Sequence, residues 1–134
     1  MRAGTIRKAI IILMALELFY MSLWIMLFFV VRTGLWSQDW FGFDGDNVVN
    51  AANDIQIFMT FLVPSLILLS LLLIIRFSKY TIYAYFLSVI AHFTTWISLL
   101  DNEYYNGTMG FFVIMVEAAI TILLLNLPKK NYLK

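Results

Sequence analysis

The sequence predicts an all-α membrane protein in which four transmembrane helices form one bundle, with both termini in the cytoplasm. Composition is the first observation behind this prediction: of 134 residues, 63% are hydrophobic and only 13% are charged. A soluble domain of this length buries too little of its surface to hide so many apolar side chains. The second observation is that the charges fall in short breaks between long apolar stretches, as in polytopic membrane proteins.

Four apolar stretches are each close to the ~20 residues that a helix needs to cross a hydrocarbon core about 30 Å thick. They cover approximately residues 9–31, 55–75, 80–100 and 109–127. The first is longer than the apolar region of a signal peptide and no small-residue cleavage site follows it, so we expect it to remain a span. Residues 1–134 then form a single transmembrane domain, with an outer loop at 32–54.

The sign of the charges predicts the orientation. Basic residues are concentrated at the two termini and in the break at 76–79, whereas acidic residues are concentrated at 39–54 and 101–103. Because Lys and Arg are retained on the cytoplasmic side, we expect both termini in the cytoplasm and the chain in the plasma or cytoplasmic membrane. Arg32 is the one basic residue in an outer connection, and from there it can extend to the lipid headgroups.

Composition also limits the chemistry. The net charge of +1 and the missing basic patch argue against nucleic acid as a partner. There is no cysteine, which removes disulfides, thiolate catalysis and cysteine-ligated metals. Hydrolase motifs and phosphate-binding glycine loops do not occur. We therefore do not expect the chain to be catalytic on its own.

Three ionisable residues lie inside predicted spans: Glu17 in the first, His92 in the third and Glu117 in the fourth. With a rise of 1.5 Å per residue, all three fall roughly 12–18 Å from the cytoplasmic edge. An ionised carboxylate at that depth is costly, so each Glu should be protonated, hydrogen-bonded or paired with His92. Three such groups at one depth can meet inside a bundle, within one chain or across an interface between chains.

Polar and small residues lie on the same helix faces as Glu17, His92 and Glu117. The supporting polar side chains are Tyr20, Ser88, Thr95 and Thr121. Faces of this kind let membrane helices approach closely and bond to one another. In the second span, Pro64 is expected to kink the helix and to free a carbonyl one turn earlier, near Thr60.

The outer loop 32–54 is the only connection long enough to fold locally. Its aromatic side chains are expected to lie flat on the outer leaflet and are candidates for docking a partner: Trp36, Trp40, Phe41 and Phe43. Asp46 is placed to cap a short helix over residues 47–53 that runs into the second span.

Two membrane families resemble parts of this pattern. Gly34-Leu35-Trp36 in the first outer loop is similar to claudin-like tetraspan proteins, but the loop lacks their paired cysteines and is too short for their extracellular sheet. A glutamate in the first of four short spans is similar to the small multidrug-resistance transporters, and Glu17 would then carry substrate and proton. The residues around Glu17 do not match that family, so the sequence is assigned to neither.

Three functions fit the sequence. The leading hypothesis is an accessory or structural subunit that packs against the other subunits of a larger membrane complex. The second is a homo-oligomeric transporter or channel that moves protons or cations through Glu17, His92 and Glu117. The third is a membrane subunit that lends His92 or a carboxylate to a quinone, haem or metal site of an oxidoreductase. The sequence specifies neither a substrate nor a cofactor or metal.

Overall fold

The computed structural model describes residues 3–35, 45–105 and 107–127. All regular structure in these ranges is helical. The five helices are α1 (Ala3–Arg32), α2 (Gly45–Asn50), α3 (Asp54–Ile75), α4 (Thr81–Leu99) and α5 (Thr108–Leu125). Three of them, α1, α3 and α4, are long and apolar enough to cross a membrane, and Gly110–Leu125 is a shorter apolar helix within α5.

The four long helices pack in a ring. Helix α1 contacts α3 and α5, and α4 contacts the same two helices. Helices α1 and α4 therefore face each other across the bundle, as do α3 and α5. We call the end that holds the N-terminus of α1 and the α3–α4 turn the hairpin end, and the opposite end, with α2 and the α4–α5 connection, the α2 end.

Buried apolar side chains fill the bundle in three layers. The layer at the hairpin end contains Ile10, Met14, Ile74, Tyr85, Ile120, Leu124 and Leu127. The middle layer contains Met21, Val63, Ile67, Ala91 and Val113. The layer at the α2 end contains Leu27, Phe28, Val49 and Ala52. The outside is equally apolar, since Phe19 is 65% exposed and Phe29 is 63% exposed. Such a surface suits hydrocarbon rather than water as its surroundings.

Helix α2 is shorter than predicted and does not run into α3. Residues 51–53 are not helical, and Asn53 begins α3 with a capping box. The side chain of Asn53 accepts from the N–H of Gln56, and the side chain of Gln56 accepts from the N–H of Asn53, at 2.9 Å each. This reciprocal cap satisfies two backbone donors and separates the helices. The docking candidates Trp36, Trp40, Phe41 and Phe43 lie outside the described residues.

Polar side chains hold α2 against the bundle. Arg32 donates from Nη2 to the carbonyl oxygens of Val49 and Ala52, at 3.3 Å each. Asn102, in the α4–α5 connection, donates from Nδ2 to the carbonyl of Val48 at 3.1 Å. Arg32 was expected to extend to the lipid headgroups. Its charge instead lies at the C-terminal carbonyls of α2, where a cation is favourable.

Helix α3 is continuous through Pro64, which is buried. One turn earlier the hydroxyl of Thr60 donates to the carbonyl of Gln56 at 2.8 Å. Proline has no N–H for the carbonyl of Thr60, as the sequence indicated. The kink expected at this position stays a prediction.

The end of α3 is a Schellman motif with an unusual residue in it. Phe77 adopts φ 59°, a left-handed conformation that glycine usually provides. The N–H of Ser78 donates to the carbonyl of Leu73 at 2.9 Å, and the N–H of Phe77 donates to the carbonyl of Ile74 at 3.2 Å. The turn that joins α3 to α4 is therefore tightly bonded.

Arg7 of α1 completes this helix end. Its Nε donates to the carbonyl of Ile74 at 3.2 Å and its Nη2 donates to the carbonyl of Ile75 at 2.9 Å. The guanidinium carbon lies 3.7 Å from the centre of the Phe77 ring. A cation at a helix C-terminus and over an aromatic face is favourable in both respects. Arg7 thus ties α1 to the α3–α4 turn.

We predict that Arg7→Ala lowers the stability of the protein by about 1–2 kcal/mol, through loss of the charge-assisted bonds and of the ring contact. Thermal unfolding of the purified protein in detergent measures this. Lys8→Ala is the matched control because it removes the same charge from an exposed neighbouring position. Equal melting temperatures for the two variants would contradict the capping role of Arg7.

A second prediction concerns Gly110, where α5 meets α4. A Cβ atom there would overlap the indole of Trp96 and approach the hydroxyl of Tyr105 to 2.7 Å. Gly110→Ala should therefore destabilise the protein by about 1–3 kcal/mol, the usual scale of overpacking. Gly4→Ala, with no atom within 4 Å of the added carbon, is the control. We expect Gly4→Ala to leave the melting temperature unchanged or to raise it, and a loss equal to that of Gly110→Ala would refute the clash.

Candidate functional site

The three ionisable residues singled out in the sequence meet in the interior of one chain. The hydroxyl of Tyr85 donates to Oε2 of Glu17 at 2.7 Å. His92 Nδ1 lies 3.0 Å from Oε2 of Glu117. The side chains of Glu17 and Glu117 lie close enough to interact with each other in the bundle interior. Glu17 is 4% exposed and Glu117 is fully buried. We call this row of four groups, Tyr85–Glu17–Glu117–His92, the carboxyl cluster.

Helix α4 supplies both ends of the cluster from one face. Its buried positions Thr81, Tyr85, Ser88, His92 and Thr95 follow one another at alternating intervals of four and three residues. This spacing keeps side chains on a single helix face. Tyr85 and His92 are therefore two turns apart, about 10 Å along the helix, and the carboxyl groups from α1 and α5 bond to these two ends.

Each carboxyl group has one oxygen in use and one without a partner. Glu17 Oε1 and Glu117 Oε1 are buried and make no hydrogen bond among the described residues. An ionised carboxylate only accepts, so two ionised groups cannot bond to each other. A proton on one of the two groups turns that group into a donor. The geometry is therefore that of a carboxyl pair able to share a proton.

The donor set is less suited to a metal ion. Within the described ranges, no three His, Asp or Glu side chains gather around one point as metal ligands. The cluster is a row of pairwise contacts, whereas metal sites in proteins converge three or more ligands on one ion. A proton needs only two oxygens. The geometry gives the metal version of the oxidoreductase hypothesis no support.

A small cavity of about 50 Å³ borders the His92 end of the cluster. Polar groups in its lining come from Tyr20, Thr60, His92, Thr95 and Tyr105. Along α4 the lining extends from His92 to Leu99, about 10 Å toward the α2 end. A site with several polar groups and this volume is large enough for water, which needs about 10–15 Å³. At the hairpin end the cluster instead adjoins the apolar layer of Ile10, Met14, Ile120 and their neighbours.

Tyr105, in the α4–α5 connection, lines this cavity. Burial raises the pKa of Tyr105 to about 12, and the neighbouring Tyr20 acts in the same direction. The hydroxyl therefore stays protonated at neutral pH and remains a donor. The ring of Trp24 stands edge-on to Tyr105 with centroids 6.3 Å apart.

Two of the predicted supporting residues, Ser88 and Thr95, lie on the cluster face of α4 but bond within their own helix. Ser88 is fully buried and its hydroxyl donates to the carbonyl of Tyr85 at 2.7 Å. The hydroxyl of Thr95 donates to the carbonyl of Ala91 at 2.7 Å and borders the cavity. These bonds satisfy the hydroxyl donors and let α4 pack closely.

The other two supporting residues occupy different places. Tyr20 is half-buried and lines both the cavity at His92 and a groove that contains Glu17. Thr121 is half-buried one turn from Glu117 and lines a separate groove with Tyr85, toward the hairpin end. Tyr20 thus adjoins the cluster, whereas Thr121 lies beside the tyrosine end of the row.

Tyr85 is the member of the cluster that sequence reasoning missed. The sequence analysis names Ser88, His92 and Thr95 on this helix but not Tyr85, which is 1% exposed. A signal was present, because Tyr85 stands seven residues before His92 and three before Ser88. That repeat alone places Tyr85 on the polar face.

Comparison with known proteins found no match: no family model, curated protein or solved structure corresponds to this chain. The carboxyl cluster and the surfaces around it are therefore the features that indicate a function. What the cluster offers chemically is a buried site for a proton, with polar space on one side of it.

We predict that Tyr85→Phe destabilises the protein by about 1–2 kcal/mol, because Glu17 loses the donor to its Oε2 inside an apolar layer. Tyr83→Phe is the matched control, since Tyr83 is on the same helix and 70% exposed. Unfolding in a denaturing detergent, followed by circular dichroism, compares the two variants. If both keep the stability of the parent protein, the bond between Tyr85 and Glu17 contributes nothing to the fold.

Proposed function

We propose that this protein is a proton-handling membrane protein, a transporter or channel that binds and releases a proton at Glu17, Glu117 and His92. The observation that carries the proposal is the pair of adjacent, buried carboxyl groups, each with one unpartnered oxygen. Unpaired buried acceptors are costly, and structures keep them where they serve a function. A shared proton is the smallest ligand that removes the cost.

The charge of the cluster supports the same proposal. With both carboxyl groups ionised and His92 neutral, the cluster carries two negative charges. One proton reduces this to a single negative charge, and two protons make the cluster neutral. Inside a bilayer each uncompensated charge is penalised by several kcal/mol. Gain or loss of one proton therefore changes the energy of the bundle interior strongly, as a coupling site requires.

We propose four crossings with both termini in the cytoplasm. Helix α5 has 18 residues, about 27 Å, and packs against α1 and α4 like a fourth member of the bundle. The hairpin end carries the basic residues Arg7, Lys8, Arg76 and Lys79, which favours the cytoplasmic side for that end. In this orientation the cavity at His92 lies on the outer side of the cluster. A proton then arrives from outside through His92 and passes to Glu117.

An accessory-subunit role is the second candidate. The observation that favours it is an apolar groove of about 530 Å³ on the α1–α3 face, near the α2 end. Its lining includes Ile25, Met26, Phe29, Ile57 and Phe61. A groove of this size accommodates side chains from a helix of a larger membrane subunit. In that role the carboxyl cluster is a hydrogen-bonded link between helices and carries no proton.

Neutral substitutions separate the two candidates. We expect Glu17→Gln and Glu117→Gln each to lower proton uptake into proteoliposomes by about a hundredfold or more, the usual scale for removing a positioned proton-transfer group. Both variants should keep their expression level and helical content, because glutamine fills the same volume. A pH-sensitive dye inside the vesicles measures uptake. Glu103→Gln, at an exposed carboxyl in the α4–α5 connection, is the control and should behave like the parent protein.

The opposite result is equally clear. If glutamine at both positions leaves proton uptake unchanged, the proton-handling proposal is wrong. Leucine at Glu17 or Glu117 then tests the accessory role, since it should weaken assembly where glutamine does not. Native mass spectrometry of gently extracted protein shows whether larger subunits accompany the chain at fixed stoichiometry, as that role requires.

A further inference from the structure

Helix α2 forms part of the wall of the cavity beside His92. Val48, in the middle of this short helix, lines the cavity and is fully buried. Phe28 of α1 and Leu99 of α4 also line the cavity at the α2 end. On α4, Thr95 and His92 lie one and two turns deeper in the bundle than Leu99. A water molecule that approaches His92 from the α2 end therefore has to pass Val48 and its apolar neighbours.

Few contacts hold α2 in this position. It has six residues, whereas an isolated helix needs about 12–15 to be stable in water. Its position therefore depends on the rest of the bundle, through the burial of Val48 and Val49 and through side-chain bonds to its carbonyls. Arg32 and Asn102 donate these bonds. A segment held by few contacts opens locally at a lower cost than unfolding of the whole protein.

Asn102 connects α2 to a second wall of the cavity. Its side chain is buried, donates from Nδ2 to the carbonyl of Val48 and accepts at Oδ1 from the N–H of Tyr104 at 3.1 Å. Because Val48 lies in the last turn of α2, its carbonyl needs a donor from outside the helix. The carbonyl of Asn102 accepts from the N–H of Tyr105 at 3.0 Å, and Tyr105 lines the cavity. One residue thus fixes both α2 and the α4–α5 connection.

We propose that α2 is the outer gate of the proton-handling site. With α2 in place, Val48 closes the cavity, which has room for about three water molecules. When α2 moves away, this water joins the water outside and a proton can reach His92. The apolar layer at the hairpin end closes the other side. This inference rests on the proposed proton-handling function and describes how access to its site is regulated.

The test uses the fact that the chain contains no cysteine, so one introduced cysteine is the only thiol. Thr95→Cys places it in the lining of the cavity, at a residue that is 7% exposed. The full chain is reconstituted in proteoliposomes with a charged, water-soluble methanethiosulfonate on both sides, and the mass of the intact protein reports labelling. A thiol that water reaches only when α2 opens is labelled in proportion to the open population. Labelling of Thr95→Cys alone should therefore be slow.

Loss of the bond from Asn102 should open the gate. Asn102→Ala should raise the labelling rate of Thr95→Cys about tenfold or more, because the buried carbonyl of Val48 loses its donor. Proton uptake into the vesicles should rise with it. Asn126→Ala is the matched control, since Asn126 also donates to a backbone carbonyl but lies at the hairpin end. It should leave the labelling rate unchanged.

Two further variants separate opening of α2 from loosening of the whole bundle. Ser70→Cys places the thiol at a fully buried position of α3, and its labelling should stay slow when Asn102→Ala is added. Arg32→Gln removes the bonds to Val49 and Ala52 and weakens the attachment of α2 from the other side. It should also speed the labelling of Thr95→Cys, which keeps the test decisive if Asn102→Ala does not fold.

Several outcomes would overturn the gate. They are unchanged labelling of Thr95→Cys in the folded α2 variants, or an equal rise at Ser70→Cys, which indicates general loosening. Faster labelling of Thr95→Cys without a rise in proton uptake would place the cavity off the proton path and reject the gate as well. Failure of the proposed function is a separate result: proton uptake then survives Glu17→Gln and Glu117→Gln, whatever the labelling rates are.

Discussion

Two carboxyl groups lie side by side in a bundle whose other buried side chains are mostly apolar, and three helices contribute to accommodating them. Helix α4 presents Tyr85 and His92 two turns apart, and each of these side chains bonds one oxygen of a carboxyl group. The other oxygen of each carboxyl group is buried and has no hydrogen-bond donor among the described residues. Desolvation makes this arrangement expensive unless a proton joins the pair. Apolar layers lie on both sides of the pair, so water does not replace that proton.

Helix α1 connects both ends of the molecule to this centre. Near its start Arg7 bonds the last carbonyls of α3, and at its end Arg32 bonds the carbonyls that close α2. Glu17 lies between these two arginines on the same helix. Backbone carbonyls at helix ends need donors wherever water is scarce, and the two guanidinium groups provide several each. One helix thus fixes the ends of two others while it carries half of the carboxyl pair.

The bounds of α3 could be predicted from hydropathy, since 55–75 was expected and Asp54–Ile75 is observed. Helix α1 begins at Ala3, six residues before the predicted span 9–31, because hydropathy marks the apolar part of a helix and not its polar first turns. The meeting of Glu17, His92 and Glu117 could be predicted as a possibility from depth, but whether they join within one chain depends on helix rotation, which depth does not fix. Tyr85 was not predicted because an aromatic residue on an apolar helix usually packs in the core or lies at the membrane interface. The break between α2 and α3 is encoded by Asn53 and Gln56, which form a capping box. The helix predicted over residues 47–53 included Asn53, so this capping pair was not recognised from the sequence.

The bond between Tyr85 and Glu17 joins α1 to α4, two helices that face each other across the ring and are not neighbours in it. This hydrogen bond links the two helices directly, and its proton comes from Tyr85 and not from Glu17. The contact between Glu17 and Glu117, in contrast, joins α1 to α5. In the proposed function it changes from attraction to repulsion when the shared proton leaves. In the proposed function, loss of the shared proton therefore weakens the contact between α1 and α5 and leaves the bond between α1 and α4 in place.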